Sequence, residues 1–288
     1  MDGTALTAAL AAAFGFAAST SLQHHAAAEA PASVMSARHL LAHLIQRPRW
    51  VVGQVMALAS FFLHAFALHA GALALVQPIV VSGIVFAVPI RAALSRHRPP
   101  PGEVRAVVIT AVGLATFLVA AGSMVGTRST PLSVAVVFIG IGLVAAIGMY
   151  TLAGQATTAA VRAGLYGVTA GILFGMVAGL VKLSLGLLEE DGVTGLLSGW
   201  PTWLIIPVGL SGVAINQRAY RVGALSASMP VLNIVNVLVA LAFGIVVFGE
   251  IPAHSPAALV AELAALGCML VGLVQLSAHA ESGQPARV

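Results

Sequence analysis

The stretch from Trp50 to Pro78, WVVGQVMALASFFLHAFALHAGALALVQP, contains no Asp, Glu, Lys or Arg. A helix needs about 20 apolar residues to cross the hydrocarbon core of a bilayer. This stretch supplies one crossing, a tight turn at Gly71-Ala72, and the start of a second crossing that carries a proline. The pattern recurs later in the chain. Trp203 is followed by Gly223-Ala224-Leu225 and then by Pro230, with the same interval from glycine to proline and an interval from tryptophan to glycine that differs by one residue. A weaker match links Phe14-Gly15 with Phe174-Gly175.

Working outward, nine apolar segments read as membrane helices: Thr4–Ala28, Trp50–Leu68, Ala72–Leu94, Val104–Ala121, Leu132–Leu152, Ala163–Leu188, Trp203–Tyr220, Ala224–Phe248 and Pro256–Ser277. None shows the alternation of a membrane β-strand. In lipid a helix satisfies every backbone polar group internally, so the expected fold is an all-α polytopic membrane protein. Composition agrees. Only 8% of the 288 residues are charged and 59% are apolar, against roughly 25% charged in an ordinary soluble domain. That excludes a cytosolic globular enzyme, a disordered chain and a conventional nucleic-acid binder. The first segment has Asp2 and no Lys or Arg ahead of it, so it is read as a span and not as a secretory signal.

The basic residues orient the chain. With the N-terminus outside and the C-terminus cytoplasmic, 11 of the 13 basic residues face the cytoplasm, among them Arg38, Arg47, Arg49, Arg91, Arg96, Arg98, Arg105, Arg162, Arg218 and Arg221. Arg128 is outside and Lys182 lies within a span. The reading is a multi-pass protein of the cell membrane. Ala37, Leu40, Leu41, Leu44 and Ile45 follow helical spacing opposite Arg38, His39 and His43, which predicts an interfacial helix near 36–47.

The matched stretches lie five helices apart. An odd number reverses direction, so the copies form an inverted repeat. Residues 1–122 make the first half, 123–162 a connecting fifth helix, 163–279 the second half and 280–288 a cytoplasmic tail. Inverted repeats characterise secondary transporters, whose sites lie near the midplane between the copies. Pro78 and Pro230 are expected to kink their helices. Gly167, Gly171, Gly175 and Gly179 fall on one helix face and allow close approach of another helix, in this chain or in a homo-oligomer.

Two charges sit well inside spans. Lys182 and Glu262 each lie about 9–10 Å from the outer end of their helices, at 1.5 Å per residue. Their matching depths predict either a neutralising pair or a titrating transport site. The uncharged candidates include Gln54, His64, Gln77, Asn216, Gln217, Asn233, Asn236 and Gln275, of which His64, Gln77, Asn233 and Asn236 are the favoured binding residues. Amides and imidazole bind polar organic substrates without a fixed charge. His24 and His25 fall at the inner end and His64 and His69 at the outer end, so they give no common metal site. No phosphate loop, HExxH or Gly-x-Ser-x-Gly motif occurs. Neither a cofactor, a resident metal nor a catalytic residue is expected.

Trp50-x2-Gly53 with Gly71-x3-Leu75-Val76-Gln77-Pro78-Ile79 resembles the second and third helices of the drug/metabolite transporter (DMT) superfamily. Leu22-Gln23-His24-His25-Ala26-Ala27 and Gly171-x3-Gly175-x6-Lys182 also look like segments of that group. The likeness is to the EamA-like and NIPA-type magnesium transporter branch. It implies a carrier working by alternating access, without ATP. The NIPA pattern places an acidic residue and an amide where this chain has Phe61 and His64. Magnesium prefers oxygen ligands, especially carboxylates. The leading expectation is therefore export of a small organic metabolite or drug, linked to protons. Magnesium or another divalent cation is the second reading, and a non-transporting oligomeric scaffold the third.

Overall fold

The computed structural model describes residues 3–28, 45–95, 98–121, 132–222, 225–250 and 256–282. Among the described residues there are helices and no strand. The helices are α1 (Gly3–Ala28), α2 (Pro48–Ala70), α3 (Leu73–Val81), α4 (Ile84–Ser95), α5 (Pro101–Ala121), α6 (Leu132–Gln155), α7 (Ala159–Ser198), α8 (Trp200–Val222), α9 (Leu225–Phe248) and α10 (Pro256–Ser282). The interfacial helix expected near 36–47 falls almost wholly outside the described residues, as do His39, His43, Arg128, Gly223 and Ala224.

Seven helical segments among the described residues are long and apolar enough to cross a bilayer. They are Gly3–Gln23, Pro48–Ala70, Leu73–Leu94, Leu132–Gln155, Ala159–Ser198, Val231–Phe248 and Pro256–Gln275. The sequence reading counted nine. The two others, α5 and α8, are helices of 21 and 23 residues. The outward faces of the helices are apolar: on α6 Ile141, Val144 and Ile147 are 67%, 72% and 63% exposed. Water would penalise such faces, whereas lipid is as apolar as the side chains themselves.

Small residues set the packing, and their contacts give the helix directions. Gly15 of α1 meets Ser60 of α2, and Gly53 of α2 meets the Ser19 carbonyl, so α1 and α2 are antiparallel. Ala5 and Ala13 of α1 meet Gly71 and Gly83, so α1 runs parallel to α3 and α4. In the other half, α7 meets α8 through Phe174 at Gly212 and Val177 at Gly209, again antiparallel. The stripe Gly167, Gly171, Gly175 and Gly179 meets Ser228, Leu232, Asn236 and Val239, and Phe243 in order, so α7 and α9 are parallel. The partner of the stripe is thus α9 of the same chain. Between the halves, α5 and α10 cross antiparallel, with Gly113 against Ala265 and Met269 and Gly272 against Ala106 and Thr110. The fifth long helix, α6, packs chiefly on α7.

The third crossing is broken a few residues beyond Pro78. Pro78 lies inside α3, and the break from α4 comes at Ser82-Gly83. There the Gly83 N–H donates to the Val80 carbonyl, leaving the Ile79 carbonyl without its usual partner. The Ser82 hydroxyl supplies that hydrogen bond at 2.6 Å. A Cβ on Gly83 would stand 2.8 Å from the Ala13 carbonyl oxygen, so glycine lets α1 approach at the break. Pro230 lies within the bounds of α9.

Candidate functional site

The second helix pair begins at the Gly71-Ala72 turn, where α3 starts with Ala72 as an N-cap that offers no side-chain oxygen. The first N–H groups of a helix lack internal partners and carry a partial positive charge. Another part of the chain satisfies them. Glu250, 1% exposed, accepts from the Leu73 N–H at 2.9 Å through Oε1 and from the Ala74 N–H at 3.0 Å through Oε2. Two glycines make this reach available. Gly249 has φ of 63°, a left-handed conformation that glycine adopts without a Cβ penalty, and it turns the chain back after α9. The Glu250 N–H then donates to the Gly244 carbonyl at 3.0 Å. A Cβ on Gly244 would overlap Glu250 Oε2.

Lys182 completes the cluster. Its Nζ donates to Glu250 Oε1 at 2.6 Å and to the Gly71 carbonyl at 2.7 Å, and stands 5.1 Å from the centre of the Phe248 ring. Phe248 stacks on Phe243, which meets Phe138 edge-on at 5.0 Å between centres. One buried carboxylate thus joins α7, the end of α9 and the turn between α2 and α3. The group of bonds ties the first half of the chain to the second.

This corrects the expected pairing. Lys182 meets Glu250, 68 residues away, and not Glu262. Glu262 is 5% exposed on α10, which packs mainly on α5. Sequence reasoning passed over Glu250 because it directly follows an apolar run and looks like a loop residue. The usable signal was Gly249-Glu250, a turn glycine with an acid at the end of an otherwise uncharged helix.

His64 and Gln77 do come together. Their side chains lie close to each other across α2 and α3, and the His64 ring meets Phe16 edge-on at 6.2 Å between centres. Each is six or seven residues from the Gly71-Ala72 turn, about 10 Å along its helix. Gln77 is buried. Asn233 and Asn236 sit half-buried on α9, and the Asn236 carbonyl lies at the Gly175 contact with α7. Gln54 and Gln217 are exposed. The other candidates are thus spread over both halves around the α2–α3 and α7–α9 pairs, and Lys182 with its new partner forms the buried charged cluster.

Charged residues at the opposite ends of the helices also pair. Arg91 of α4 bonds Glu103 of α5 at 2.5 Å, and Arg218 of α8 donates to the Tyr150 hydroxyl of α6. His69 and Glu189 make a more exposed contact at 3.4 Å beside the Lys182 end.

No family model matches the chain, and no solved structure matches it. The chain is similar to an uncharacterized protein of Corynebacterium glutamicum, 28% identical over 242 residues that cover 84% of this chain and 83% of the relative. The described residues themselves give the chain's class: strongly apolar and helical, with several helices long and apolar enough to span a membrane.

Proposed function

We infer that the chain is a secondary transporter of the DMT type, with nine crossings arranged as an inverted repeat, that exports a small organic metabolite or drug by alternating access. The observation that carries the reading is the Lys182–Glu250 cluster at the N-terminus of α3. Transporter sites use interrupted helices whose N-termini face anionic groups. Here the third crossing is interrupted at Ser82-Gly83, and where that crossing begins, at the Gly71-Ala72 turn, the first N–H groups of α3 face a carboxylate from the other half of the chain. Intramembrane charges are costly and mark coupling sites by default.

Helix directions support the repeat. The antiparallel first pair, α1 with α2, has its counterpart in α7 with α8. The parallel pair, α1 with α3 and α4, corresponds to α7 with α9. α5 and α10 cross each other as counterparts of opposite direction. All of these directions fit nine crossings that alternate. In the proposed cycle, a proton on Glu250 or an anionic group of the substrate at Lys182 weakens the bond between the two, freeing the α2–α3 turn from α9. His64 and Gln77, one to two turns deeper, offer a neutral polar surface for the solute.

Flux into proteoliposomes tests this. With an imposed proton gradient, some members of a panel of amino acids, amines and cationic dyes should move faster than in empty liposomes. Magnesium entry without proton-linked organic flux would favour a divalent-cation carrier. An absence of flux for every solute under either gradient would favour a scaffold and sink the transport reading.

A further inference from the structure

The α6–α7–α8 face holds a cavity of about 420 Å³ that none of the transport residues lines. α6 and α8 both pack on α7 and form the two walls, while Thr169 and Leu173 of α7 form the floor. Along α6 it runs from Leu143 to Tyr150, and along α8 from Ser211 to Arg218. Each interval is seven residues, a length of about 10 Å. Apart from Tyr150, Thr169, Ser211 and Arg218, the lining is aliphatic. The Thr169 hydroxyl is already committed to the Leu165 carbonyl at 2.9 Å.

The polar end is built around one guanidinium. Arg218 donates through Nη1 to the Tyr150 hydroxyl, and its Cζ lies 5.7 Å from the centre of the Tyr150 ring. Tyr150 is held in turn by Tyr166 at 5.5 Å between centres. A guanidinium has five N–H donors in a planar fork, so most of them remain available once one is fixed on a hydroxyl. Fixing the side chain beforehand reduces the ordering cost of binding an anion. No acidic side chain lines the cavity among the described residues. Arg162, bonded to the Ala156 carbonyl at 2.8 Å, adds a second positive charge at this end of α6 and α7. Basic residues between helices at the cytoplasmic side suit lipid phosphates.

We propose that this groove is a binding site for one anionic phospholipid, with an acyl chain between α6 and α8 and the phosphate on Arg218. The site lies on a different face from Lys182 and Glu250, so it stands whether or not the protein transports.

Native mass spectrometry of the detergent-purified protein tests it, using phosphatidylglycerol and phosphatidylcholine of identical chains. The wild type should retain phosphatidylglycerol in preference to phosphatidylcholine. Arg218→Gln should lower phosphatidylglycerol occupancy about tenfold, the loss expected for one hydrogen bond to a charged group. Tyr150→Phe keeps the charge and should lower it less. Ile147→Trp, at the exposed rim of the groove, should displace the lipid with Arg218 intact. Unchanged melting of each variant identifies these losses as binding effects. Equal retention of phosphatidylglycerol by wild type and Arg218→Gln overturns the proposal. So does displacement of the lipid by equimolar glycerol 3-phosphate, which would make the groove a site for free anions.

Discussion

Glu250→Gln keeps the shape of the side chain at the α3 N-terminus and removes its charge. The carboxylate accepts three bonds, from Lys182 Nζ, the Leu73 N–H and the Ala74 N–H. An amide has one acceptor oxygen, so its NH2 group must face either a backbone N–H or the ammonium. A hydrogen bond to a charged group contributes about 1.5–3 kcal/mol, and a buried donor left unpaired costs about 1–3 kcal/mol. Together these reach the roughly 3–5 kcal/mol typical of a buried pair that loses one partner. Glu189→Gln is the matched control, because its pair with His69 is exposed and worth about 0–1 kcal/mol. The single cysteine, Cys268, provides the assay. It is half-buried in α10 with Sγ 3.6 Å from the Ile109 carbonyl oxygen, so a thiol-reactive fluorophore reports its exposure on heating in detergent. Glu250→Gln should melt well below the wild type, and Glu189→Gln close to it. Equal melting of the two variants would refute the reasoning that the α3 N-terminus depends on this carboxylate.

The charge swap Lys182→Glu with Glu250→Lys should fail to restore the melting lost in either single variant, because an ammonium cannot accept from the Leu73 and Ala74 N–H groups. Full recovery would reduce the cluster to a simple ion pair. Gly175→Ala places a Cβ 2.7 Å from Val239 Cβ and 2.9 Å from the Asn236 carbonyl oxygen and should destabilise by about 1–3 kcal/mol. Gly186→Ala on the same helix meets nothing within 4 Å and should melt at or slightly above the wild type; similar losses at both positions would count against α7–α9 packing as the reason for the stripe. Alkaline phosphatase fused after Asp191 should be active and after Arg98 inactive, and the reverse pair of activities would invert the proposed orientation.

The helices were legible because crossing lipid imposes a long apolar run, and that constraint acts on local sequence. The glycine stripe on α7 was legible for the same kind of reason, since spacing four places Gly167 through Gly179 on one face. Its partner was not legible, because nothing in a small-residue stripe specifies which helix it receives. The pairing of Lys182 failed on geometry. Counting 1.5 Å per residue gives depth but not which helices are neighbours, and Glu262 shares that depth on a helix committed to α5. Glu250 enters the bundle only because Gly249 turns the chain back and Gly244 leaves space for the carboxylate. Both effects belong to the backbone and are invisible to hydropathy. The break at Ser82-Gly83 in the third crossing has a similar origin, since it rests on one hydroxyl and one missing Cβ.

Counterflow in proteoliposomes measures the central claim most directly. The account predicts saturable, proton-linked movement of an organic solute by the wild type, and loss of its proton dependence in Glu250→Gln reconstituted to equal density. Solute movement that ignores the proton gradient equally in both proteins, or no movement in either, would contradict it.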